Sequence, residues 1–135
     1  MSTFAEWDPA LETGDPTVDE QHRQLYELVN EMNDTVASGR SDELIAASFG
    51  RIIEYARSHF AYEEALMERI GYPGIETQMW QHREFAKEVE LLWSEILGGD
   101  RVSPEGLVEF MKEWLSNHVD QEDRKIGAYI RSHEG

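Results

Sequence analysis

The chain has 135 residues, with 12 Lys and Arg against 28 Asp and Glu, for a formal net charge of −16 at pH 7. That length fits one domain, and a field of that sign repels phosphate backbones and anionic lipid, which excludes nucleic acid and membrane surfaces as partners. Cysteine is absent, which excludes disulfide scaffolds, iron–sulfur clusters and Cys nucleophiles, while 4 Trp, 5 Tyr and 5 Phe within a 40% hydrophobic content supply a core that an acidic disordered tail lacks.

The opening stretch MSTFAEWDPALETGD has neither a basic start nor an apolar run, so no signal peptide is expected. No stretch approaches the ~18 apolar residues of a membrane span. The expectation is a single cytoplasmic domain over 1–135. Pro9, Gly14 and Pro16 make residues 1–17 an extended arm. A first helix is predicted over about 18–37, with Val18, His22, Leu25, Leu28 or Val29, Met32 and Val36 on one stripe, broken by Ser38-Gly39-Arg40. Ser41 caps a second helix over 42–70, whose stripe is Ile45, Phe49, Ile52, Ala56, His59, Glu63, Leu66 and Ile70. Gly71-Tyr72-Pro73-Gly74 stops it. A third helix follows over 75–97 on Ile75, Gln78, His82, Phe85, Val89, Leu92 and Ile96, ended by Gly98-Gly99. Pro104 opens a fourth through Leu107, Met111, Trp114 and His118 to about 130. No run alternates with the period of a strand. The fold class is therefore all-α, an antiparallel up-down-up-down four-helix bundle with an extended N-terminal arm.

The stripes are interrupted where apolar residues belong, by His22, His59, Glu63, His82 and His118, with at least one on every helix. A buried carboxylate is costly unless it is paired, hydrogen-bonded or bound to a metal. His59 and Glu63 stand one turn apart, at i and i+4. Asp123 follows His118 by five residues, which on a regular helix turns it about 140° off the stripe. Either the helix widens there into a π-bulge, or Asp123 faces solvent. Imidazole and carboxylate without sulfur suit iron, manganese or zinc, and six or seven such groups suit two metals bridged by carboxylates, most plainly iron. No Glu-x-x-His pair is present, which argues against the ferritin-like plan, and His-Glu-x-x-His is absent too.

These residues resemble the hemerythrins, specifically the bacterial single-domain kind. The resemblance rests on Trp7, Thr13-Gly14 and Asp19-Glu20-Gln21-His22 with Leu25 and Asn30; on His59-Phe60-Ala61-Tyr62-Glu63-Glu64 with Met67 and Gly71-Tyr72-Pro73; on His82 with Phe85; and on Trp114-Leu115-Ser116-Asn117-His118 with Asp123. It implies a non-haem, oxo- or hydroxo-bridged di-iron site that binds dioxygen reversibly, for carriage, storage or sensing. Carried over, His22 and His59 serve one iron, His82 and His118 the other, and Glu63 and Asp123 bridge them.

The sequence departs from the family where Gln78 stands in place of the first His of a His-x-x-x-His pair. Three arrangements follow. Gln78 coordinates through its oxygen; it hydrogen-bonds to water or another ligand; or the iron on that side is lost, leaving a mononuclear or empty site. An opened position would favour an iron-dependent enzyme acting on peroxide, nitric oxide or oxygen, although no substrate pocket is specified and a binding role ranks first. A degenerate module with a protein partner is the third reading. Asp19 and Gln21 are read as either partners of His22 or surface groups, and Glu64 is expected in solvent. Phe60, Tyr62 and Phe85 are expected around the site, and Trp7, Trp80, Trp93 and Trp114 in core or rim packing. His133 is given no role.

Overall fold

The computed structural model describes residues 5, 7, 12–39, 41–97 and 103–132. The first helix, α1, spans Pro16–Ala37, followed by α2 over Asp42–Ile70 and α3 over Ile75–Leu97. A fourth helical stretch consists of α4, Pro104–Asn117, one wide π-helical turn, His118–Asp123, and α5, Arg124–Ser132. Most boundaries follow from capping chemistry. Asp15 and Ser103 accept the Val18 and Gly106 backbone N–H groups, each just before a proline at the first helical position, where the missing N–H costs nothing. Gly71 ends α2 in the left-handed region, at φ 68°. The first helix thus begins at Pro16, two residues before the predicted Val18, because Asp15 is the cap. The predicted stop at Gly98-Gly99, Arg40, much of the arm and His133 lie outside the described residues.

Contacts fix the bundle as antiparallel. His22, early in α1, meets His59, late in α2, while Phe49, early in α2, stacks on Trp93, late in α3. Phe85 of α3 stacks on Trp114 of α4 with ring centroids 3.9 Å apart, closing the ring of helices. The major core holds Leu25, Val29, Met32, Phe49, Ile52, Val89, Met111 and Leu115, all buried. A smaller cluster of Met67, Tyr72 and Ile126 gathers at the other end. In chain order, the buried His and carboxylates of α2, of α3 and of the fourth helical stretch fall between residues of these two clusters, so they form a polar layer with apolar packing on both sides. The burial of that layer depends on packing above and below it rather than on the bundle's ends.

The described part of the arm is tied down. Ala5 exchanges two backbone hydrogen bonds with the Asn30 side chain, at 2.7 and 2.9 Å. Asp19 accepts from the Thr13 backbone and hydroxyl, so its buried carboxylate anchors the arm and does not touch His22. Thr13 then crosses α5 at Gly127, where an added Cβ would lie 2.7 Å from the Thr13 carbonyl oxygen. Among the described residues, no helix is long and apolar enough to cross a membrane.

Candidate metal centre

All six candidate site residues named from the sequence are buried and brought together. His22 comes from α1, His59 and Glu63 from α2, His82 from α3, and His118 and Asp123 from the two ends of the π turn. The wide turn answers the question left open by the spacing. It closes i to i+5, so Asp123 returns to the face of His118, with its Oδ2 3.0 Å from His118 Nε2. The single predicted helix over 104–130 is accordingly two α-helical stretches on either side of this turn.

Three ring nitrogens converge. His59 Nε2 lies 3.2 Å from His22 Nε2 and 3.1 Å from His118 Nε2. Glu63 Oε1 stands 3.3 Å from His59 Nε2, 3.3 Å from His82 Nε2 and 3.2 Å from His118 Nε2. Asp123 Oδ2 contacts His22 and His118 directly. Ligand atoms of His22, His59, Glu63, His118 and Asp123 all lie within 4.8 Å of one another. These groups form one cluster, with His82 joined to it through Glu63.

Two imidazoles are oriented from behind. His59 Nδ1 donates to Gln21 Oε1 at 2.8 Å, and His82 Nδ1 donates to Glu64 Oε2 at 2.8 Å. Both acceptors can only accept, so in a neutral ring the proton sits outward and the Nε2 lone pair faces the cluster. Gln21 therefore serves His59, not the adjacent His22, and Glu64 is a half-buried partner rather than a solvated acid. Periodicity could not have found Glu64, because it lies about 100° around the helix from Glu63, toward α3.

Aromatic rings wall the site on its core side. Phe60 stacks on His82 with centroids 3.9 Å apart, and Trp114 stacks on His118 at 5.1 Å. Phe85 packs behind both, whereas the Tyr62 hydroxyl donates to Asp15 and Trp80 is 56% exposed instead of packed. Trp7 lies against His22. Between α3 and α4, a cleft of about 230 Å³ lined by Gln81, Asn117 and Trp114 reaches His82 and His118.

The donor set fits a cation. Both oxygens of Glu63 and of Asp123, together with His82 Nε2 and Gln78 Oε1, are buried without a hydrogen-bond partner. Burying a carboxylate costs about several kcal/mol, and these two share one dry layer. Without a cation, protons must offset that charge. Burial opposes a charged His118, yet Asp123 and Glu63 outweigh it and hold its pKa well above the ordinary imidazole value. His59 is raised in the same way, with Glu63 overcoming burial. Burial pushes Glu63 up, but His59 and His118 hold it well below the carboxylate range. Asp123 is lowered as well, His118 prevailing over burial and Glu63. A divalent cation can replace those protons at the same atoms.

Comparison with known proteins agrees with this site. A sequence profile described as the Hemerythrin HHE cation binding domain matches residues 13–130. A bacteriohemerythrin of Pseudomonas aeruginosa is 32% identical over 117 residues, covering 87% of this chain and 75% of that protein. One from Stenotrophomonas maltophilia is 28% identical over 127 residues, covering 94% and 82%. The fold superimposes on a crystal structure of wild-type hemerythrin with a TM-score of 0.87 at 25% identity, covering 94% of this chain and 98% of that one. With its profile match spanning all four helical stretches and the buried His and carboxylate layer, the chain belongs to the hemerythrin HHE cation-binding family.

Proposed function

We propose that this chain is a cytoplasmic, single-domain, non-haem di-iron protein over residues 1–135 that binds dioxygen reversibly. His22, His59, Glu63, His82, His118 and Asp123 are its metal-holding residues. The observation that carries this reading is the convergence of ligand atoms from five buried residues within 4.8 Å, with both oxygens of Glu63 and of Asp123 left without hydrogen-bond partners. Nitrogen and oxygen donors without sulfur suit iron, and the two carboxylates offer four oxygens, enough to bridge a pair. Iron held there supplies the electrons that reversible dioxygen binding requires.

The chain's own residues do the rest. Gln21 and Glu64 fix the tautomers of His59 and His82. Phe60, Phe85 and Trp114 exclude water from the core side, and the α3–α4 cleft admits a diatomic ligand. The bacteriohemerythrins among the relatives support this reading. Anaerobic loading with ferrous iron should give two irons per chain and a visible absorption band that appears on aeration and fades under vacuum. Less than one iron per chain overturns the proposal. A band that never reverses, with continuing oxygen consumption, shows an oxidase instead.

A further inference from the structure

We propose that Gln78 gives its side-chain oxygen to the metal on the α3 side of the centre, next to His82, in place of a stronger imidazole donor. The inference rests on reading the cluster as an iron centre and concerns the donor set on its α3 side. Helix α3 contributes two buried polar side chains to the layer, Gln78 and His82, spaced i to i+4 and therefore on one face a single turn apart. Gln78 is only 2% exposed, and its Oε1 has no hydrogen-bond partner. His82 Nε2, equally buried, has none either. Both atoms present lone pairs when the His82 ring is neutral and its Nδ1 proton is donated to Glu64.

A buried acceptor left unmatched costs free energy, and an amide retained at such a position calls for an electron-pair acceptor. The nearest imidazole on α3, that of His82, supplies none with its proton turned to Glu64, because it then presents a lone pair as well. A cation meets the need of both atoms at once. An amide oxygen is a harder, weaker donor than imidazole toward iron, and carbonyl oxygens suit manganese. The α3-side metal is therefore held less tightly than an imidazole at position 78 would hold it, and it discriminates less against manganese.

The test is anaerobic equilibrium binding of Fe(II) and, separately, Mn(II) to the full chain and to three variants. Gln78→Leu should weaken one of the binding steps by at least about tenfold, the lower end of the cost of losing even a group that only orients a ligand. Gln78→His should tighten that step for iron and raise its preference for iron over manganese. Gln78→Asn, which keeps the amide but shortens its reach, should resemble Gln78→Leu. Unchanged affinities in Gln78→Leu, or an unchanged iron-to-manganese preference in Gln78→His, overturn the inference. If Gln78→Leu loses its helical signal when metal-free, the His and Asn variants decide the matter alone. A wild type that binds no iron fails at an earlier step and refutes the iron reading itself.

Discussion

Replacing Glu64 with Ala tests whether the carboxylate behind His82 orients a metal-binding ring. The pair is 2.8 Å apart, between an imidazole 4% exposed and a carboxylate 32% exposed. An ion pair this open to solvent contributes about 0–1 kcal/mol to folding, so metal-free Glu64→Ala should unfold within a few degrees of wild type. The cost should fall on metal binding. Losing a group that fixes a ligand's tautomer and ring angle typically lowers affinity about 10–100-fold, which corresponds to ~1.4–2.7 kcal/mol. Competition with a chromogenic ferrous chelator under anaerobic conditions reads that loss directly. Glu68→Ala is the control, because Glu68 lies one turn further along α2, is exposed, and removes the same charge without touching His82. Glu64→Gln keeps an acceptor and should fall between. Equal weakening by Glu64→Ala and Glu68→Ala would mean that only long-range charge matters, and the orientation argument would be wrong.

Gly127→Ala should destabilise the fold by about 1–3 kcal/mol, because the new methyl meets Thr13 backbone atoms at 2.7 and 2.9 Å. Thermal unfolding checks it, and an unchanged Tm would mean that the arm does not cross α5 there. The metal-free protein should also have a bounded pH range of stability. The raised His118 pKa contributes stability that is full below the ordinary 6.5 and lost as pH rises through the raised value. The lowered Glu63 pKa contributes stability present above the ordinary 4.5 and lost as pH falls through the lowered value. Urea midpoints across pH should therefore decline on both sides, and bound iron should remove the alkaline decline by replacing the protons. A metal-free profile flat on the alkaline side would contradict the pairing of His118 with Glu63 and Asp123.

The helices and most of the site were legible in the sequence because one rule governs both. Residues that face the core recur every three or four positions, and His22, His59, Glu63, His82 and His118 sit on that register among Leu25, Ile52, Phe85 and Leu115. What was not legible obeys other rules. The 3.6-residue period alone left Asp123 undecided between the site and solvent, because the chain departs from that pitch where it matters. Gln21 and Glu64 lie beside their helices' stripes and reach residues 38 and 18 positions away, so only the packed structure reveals their partners. Trp80 shows the converse, since an aromatic residue on a helix need not be buried.

The π turn also shapes more than the carboxylate it delivers. An i to i+5 turn accommodates one residue more than an α-helical turn, so everything downstream is rephased by roughly 100° relative to an uninterrupted helix. That phase is what places Ile126 in the smaller cluster and the bare backbone of Gly127 beneath Thr13. A single local widening thus couples the cation-holding layer to the seam where the start of the chain is fastened, and a length change between His118 and Asp123 would loosen both together.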